Sequence, residues 1–72
     1  TAFCDKQQET VVVHLPETSH RLNLYDVNGR LLKQILSEGK ETITFSCREY
    51  PTGVYLLQAV TDKGIHQCKF LK

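Results

Sequence analysis

The chain has no surplus of charge of one sign, no long apolar run and no paired metal-ligand spacing, and each absence removes a class of function. Nine Lys and Arg against eight Asp and Glu leave a net charge of +1 over 72 residues. Such a balance generates no long-range field to steer the chain onto nucleic acid or an anionic bilayer, and no basic stripe is visible. Nucleic acid is therefore not expected as a partner. The longest apolar runs, such as Val54-Tyr55-Leu56-Leu57, fall far short of the roughly 20 residues that span a bilayer, so no direct membrane span is expected. There is no Gly-x-Ser-x-Gly elbow, no phosphate loop and no suggestion of a catalytic carboxylate pair. Nothing in the sequence calls for a cofactor. The chain opens at Thr1 without a charged region followed by an apolar one, so it reads as a piece of a longer precursor.

Three cysteines, Cys4, Cys47 and Cys68, fit neither a zinc ribbon nor a Cys-x-x-Cys redox motif. One bridge with one thiol left over fits the count, as does no bridge. A Cys47–Cys68 bridge would suit an oxidising compartment and, closing a loop of about 20 residues, would add roughly 3 kcal/mol. Equally, the three serve as small buried hydrophobes. A metal site from His14, His20, His66 and the cysteines would need ligands to converge from separate strands with no paired spacing, and none is expected. His66 and Cys68 lie two apart on one strand face, but their side-chain bases are separated by about 7 Å along a strand, too far for a nucleophile and its base. The expected arrangement is one inward cysteine beside one partly exposed histidine.

No segment repeats apolar residues at three and four over the length a helix needs. What is present is alternation. In Thr10 to Leu15, Val11, Val13 and Leu15 are predicted to face a core while Val12 and His14 face out, and Pro16 stops the ladder. Asn28-Gly29 tolerates positive φ at both residues and predicts a type I′ hairpin between Leu22 to Val27 and Arg30 to Leu36. Asp26 is expected to fix that turn by bonding backbone amides, and Arg30 by pairing with Asp26. After the Ser37-Glu38-Gly39-Lys40 turn, Ile43 and Phe45 point inward from Glu41 to Phe45.

Tyr50-Pro51-Thr52-Gly53 forms the next corner, where Pro51 fixes φ and Gly53 is expected to adopt a conformation other residues resist. Val54 to Thr61 reads as a central strand buried on both faces. Ile65 to Leu71 closes the chain, with Cys68 and Phe70 on one face and Lys69 and Lys72 toward solvent. Val54 or Leu56 joins Ile43, Phe45, Leu57 and Phe70 in the predicted core. About six short strands with turn signals every 8 to 12 residues predict an all-β fold, a small antiparallel sandwich or barrel. A chain this short buries only about 60% of the surface it exposes when unfolded, so its stability is modest.

Three segments carry a resemblance. Leu24-Tyr25-Asp26-Val27-Asn28-Gly29-Arg30-Leu31, Tyr50-Pro51-Thr52-Gly53-Val54-Tyr55-Leu56-Leu57 and the closing Lys69-Phe70-Leu71-Lys72 resemble, in order and spacing, the C-terminal sorting domains of cargo exported by the type IX secretion system of Bacteroidetes. The resemblance covers roughly Thr10 to Lys72. It implies an immunoglobulin-like β-sandwich of six or seven strands that is not an enzyme. Its structural motif residues would be Asp26, Asn28, Gly29, Arg30, Pro51, Gly53 and Tyr55, and its recognition end Lys69, Phe70, Leu71 and Lys72. Residues 1–9 would be the junction to an upstream cargo domain and residues 10–72 the sorting domain. The implied partners are an outer-membrane shuttle β-barrel and a sortase-like peptidase that usually cuts the domain off at the surface. The cargo would pass through the periplasm to the outer-membrane surface or the medium. The chain departs from the family in lacking an Asn-Pro entry before the first strand and in its three cysteines. An accessory immunoglobulin-like or carbohydrate-binding module, with Tyr25, Tyr50 and Tyr55 as a stacking surface, is the competing expectation.

Overall fold

The computed structural model describes residues 2–15 and 19–72, so Pro16, expected to stop the first ladder, lies outside the described residues. Among these residues seven strands follow one another: β1 (Ala2–Asp5), β2 (Thr10–His14), β3 (Ser19–Tyr25), β4 (Leu31–Leu36), β5 (Thr42–Ser46), β6 (Val54–Thr61) and β7 (Gly64–Leu71). Among the described residues there is no helix. The strands form a three-stranded sheet in the order β1-β2-β5 and a four-stranded sheet in the order β4-β3-β6-β7. Every pairing is antiparallel. With strands assigned to the two sheets in this way, the order is that of an immunoglobulin-like sandwich.

Alternation places the core. Val11 and Val13 of β2, Ile43 and Phe45 of β5, Leu22 and Leu24 of β3, Tyr55, Leu57 and Ala59 of β6, and Phe70 of β7 are all buried between the sheets. Each belongs to the inward set of its strand, as the period of two requires. Two buried hydroxyls, Ser19 and Ser37, satisfy each other at 2.5 Å, which removes the cost of taking them from water unpaired.

Three expectations fail. β6 is central, lying between β3 and β7, but only one of its faces is covered. Val54 remains 46% exposed and Leu56 half-buried, because among the described residues no third layer packs outside the four-stranded sheet. Neither is core; Tyr55 and Leu57, which alternate with them along the strand, are. Residues 1–9, read as a junction, contain β1, which pairs with β2 from Ala2↔Val13 to Asp5↔Thr10. Four residues give no readable period, and the strand exists because β2 offers it an unpaired edge.

The third failure is the hairpin type. Gly29 does hold positive φ, at 84°, but Asn28 is not in the left-handed region. Instead the Gly29 amide donates to the Asp26 carbonyl at 3.0 Å and the Asp26 amide to the Arg30 carbonyl at 3.0 Å. This is a three-residue loop, a type I turn closed by a left-handed glycine bulge. The type I′ pattern occurs at Glu38-Gly39, with φ 48° and 79° and the Lys40 amide bonded to the Ser37 carbonyl.

Candidate functional site

Register brings the distinctive segments to one end of the four-stranded sheet. Tyr25 pairs with Leu56 and with Leu31, and Val54 pairs with Leu71. The 26–30 loop that follows Tyr25, the 50–53 corner that precedes Val54, and the chain end after Leu71 are therefore neighbours. Segments far apart in sequence become one surface because β3, β6 and β7 lie side by side.

Each part is fixed by identifiable bonds. The Asp26 carboxylate accepts the amides of Asn28 and Arg30, both at 2.9 Å, and the Arg30 Nε lies 3.3 Å from its other oxygen. The Arg30 amide, with help from the Asn28 amide and the guanidinium, holds the Asp26 carboxyl below its ordinary range against the opposing effect of partial burial. At the 50–53 corner the Tyr55 hydroxyl donates to the Pro51 carbonyl. A tyrosine at the start of the strand thus ties back to the loop before it, as the tyrosine corner does in immunoglobulin-like sandwiches. Tyr55 also stacks on Phe70, with centroids 5.5 Å apart and planes 20° from parallel, and meets Tyr50 at 6.0 Å. Burial pushes the phenols of Tyr55 and Tyr50 up.

Gly53 contributes differently from expectation. Its φ lies outside the left-handed region, and a Cβ there would meet no atom within 4 Å. Its backbone instead pairs with the chain end: the Lys72 amide donates to the Gly53 carbonyl at 2.9 Å, and the Gly53 amide to the Lys72 carbonyl at 3.2 Å.

Lys72 is likewise not directed at solvent. Its ammonium donates to the Cys47 carbonyl at 2.7 Å and to the Tyr50 carbonyl, capping the turn that follows β5. Lys72 is therefore part of the fold, which overturns the expectation that its side chain turns toward solvent. Within the expected recognition end, Phe70 is inward and buried, whereas Lys69 and Leu71 face outward, Leu71 with 62% of its surface exposed.

The outer face has its own order. One cross-strand row reads Leu31, Tyr25, Leu56, Lys69; the next reads Gln34, Asn23, Gln58, Gln67. The Gln34 amide donates to Asn23 Oδ1 at 3.1 Å and the Asn23 amide to Gln58 Oε1 at 3.2 Å, with the Tyr25 hydroxyl joining at 3.3 Å. These bonds link β4, β3 and β6 across the outer face. Beside them Val27, Leu31, Val54 and Leu71 are all exposed at the end where the three segments meet.

The cysteines do not pair as expected. Cys47 lies 3.6 Å, sulfur to sulfur, from Cys4, and no disulfide joins any two of the three. Cys68 sits across from Leu57 on β7 and, with His66, lines an inter-sheet cavity of about 490 Å³ that also includes Val13, Leu22 and Ala59. Among the described residues no three His, Cys, Asp or Glu side chains gather as a metal set.

Residues 7–72 match the family model described as the secretion system C-terminal sorting domain. The chain belongs to that family. This sorting domain is a C-terminal sorting signal of type IX secretion; it works with the secretion machinery and a cargo protein, and serves export across the outer membrane toward the cell surface or the extracellular space. Nothing among curated proteins matches the sequence. Among solved structures, the crystal structure of CopC from Methylosinus trichosporium OB3b is similar, with 16% identity, a TM-score of 0.49, and coverage of 88% of this chain and 74% of that one. The match to the sorting-domain family begins at residue 7, so β1 lies outside it.

Proposed function

We propose that the sorting domain docks on the secretion machinery through the end of its four-stranded sheet where Val27, Leu31, Val54 and Leu71 are exposed beside Lys69. The observation that carries this reading is the convergence of the three distinctive segments on that end. Phe70 and Lys72 hold the end rigid from within, and Lys69 and Leu71 present it. The outer-membrane shuttle β-barrel is the partner proposed for this surface, reached by passage through the periplasm. Residues 1–9 would then be the cargo side of the domain, and the exposed turn at Lys6, Gln7 and Gln8 the place where a sortase-like surface peptidase finds an accessible backbone.

The experiment is a fusion. A passenger carrying residues 1–72 at its C-terminus should reach the surface of a host with type IX machinery and remain in the periplasm of the same host lacking the shuttle barrel. Periplasmic retention in both hosts would favour the accessory-module reading. That reading is weakened by Tyr55, which is buried and bonded to Pro51 and so is withdrawn from any sugar-stacking surface.

A further inference from the structure

We propose that Cys4 and Cys47 are a disulfide site that fastens β1 to the end of β5, with Cys68 left as a thiol. The two sulfurs are 3.6 Å apart although 43 residues separate them in sequence. Both side chains face the core. Cys47 is completely buried, and Cys4 packs against the core from the edge strand. A disulfide bond is about 2.05 Å long, so closure asks the sulfurs to approach by about 1.5 Å, within the reach of side-chain rotation.

The backbone around the pair is already fixed. Cys4 pairs with Val11, Val11 with Phe45, and Cys47 follows Phe45 by two residues with its amide on the Glu9 carbonyl at 2.8 Å. Arg48 adds a contact to the Glu9 carboxylate at 3.2 Å. Cys68 belongs to the other sheet, across from Leu57.

The reaction needs an oxidant, and a small disulfide such as oxidised glutathione supplies it. Cys4 lines a surface cleft with Lys6, Glu9, Thr52 and Lys72, so a disulfide can approach it. Cys47 is completely buried, which leaves Cys4, open to the cleft, to attack first. The Cys4 thiolate displaces one glutathione thiolate and forms a mixed disulfide. Cys47, giving up its proton, then attacks the Cys4 sulfur and releases the second glutathione. Two protons leave the protein and two electrons reduce the donor to two thiols.

The closed loop contains the exposed turn between β1 and β2. A cut in that turn would leave β1 covalently attached until a reductant is added. The proposal does not depend on the docking reading, since any small disulfide can carry out the exchange.

The test is to equilibrate the purified chain with excess oxidised glutathione, denature it without reductant, alkylate it and map the peptides by mass spectrometry. The expected product has lost two hydrogens, joins the Cys4 and Cys47 peptides and carries one alkyl group on Cys68. Cys68→Ser should form the same bridge and Cys4→Ser should not. The oxidised wild type should also melt at a higher temperature than the reduced form, a difference removed by dithiothreitol and missing from Cys4→Ser. Three alkylated thiols, a glutathione adduct persisting on Cys4, or a bridge to Cys68 would each overturn the proposal.

Discussion

On its inner face the β4-β3-β6-β7 sheet presents Leu22, Leu24, Leu57 and Phe70, all buried against the second sheet, while the same strands present Tyr25, Asn23, Gln58, Lys69 and Leu71 on the outer face. Adjacent residues of β7 therefore have different work. Phe70 is tied to stability through its stack on Tyr55, and Lys69 and Leu71 on either side make little of the core. A sorting signal benefits from this division, because an exposed face can vary its side chains for a partner without loosening the sandwich that displays them.

The comparison breaks most visibly at Phe70. Phe70→Ala should cost about 3–5 kcal/mol, a large share of the roughly 5–15 kcal/mol that a small domain has in total. Leu71→Ser, one residue away, should cost under about 1 kcal/mol, since exposed substitutions usually fall in that range. Denaturant titration of the two variants checks both, and equal losses would mean that the outer face is covered.

Lys72 sharpens the contrast between a presented and an anchored lysine. Lys72→Met keeps the stem but removes the ammonium from the Cys47 and Tyr50 carbonyls, and should cost about 1–2 kcal/mol, as charge-assisted hydrogen bonds at partly exposed sites do. Lys69→Met should change thermal stability hardly at all. Next come the glycines. Gly29→Val forces a β-branched residue to φ 84° and should cost about 1–2 kcal/mol, while Gly53→Ala should be nearly neutral. Melting temperatures of the pair decide whether the positive φ or the glycine itself is what the turns require.

The smallest effect is the pH dependence of the 26–30 loop. The folded carboxyl of Asp26 lies below its unfolded value of about 3.9, so its stabilisation is complete above that pH and is lost as pH falls through the lower folded value. The difference in melting temperature between wild type and Asp26→Asn should therefore be full near neutrality and shrink below about pH 4. A difference that stays constant to low pH would mean that the carboxylate does not stabilise the loop.

The strands were legible because alternation reports which face is covered: Val11, Val13, Ile43 and Phe45 each sit where a period of two puts them. So were the tasks of Asp26 and Arg30, whose bonds reach only four residues along the chain. The turn type was not, since an Asx side chain bonding two amides selects a three-residue loop that Asn-Gly composition alone does not reveal. Lys72, Cys4 and the β1 strand were missed for a common reason. Each finds its partner five or more residues away, across a corner or an edge that exists only once the sheets have formed. The burial expected on both faces of β6 followed from its apolar content, which cannot distinguish a second packed layer from an exposed face.

The account is tested most directly by export of a passenger fused to the Lys69→Glu, Leu71→Ser double variant, with folding verified by an unchanged denaturation midpoint. If the outer end of the sheet is what the machinery reads, this folded variant should leave its passenger in the periplasm while the intact domain delivers it to the surface. Surface delivery by the double variant at the level of the intact domain would contradict the account and place the signal elsewhere on the sandwich.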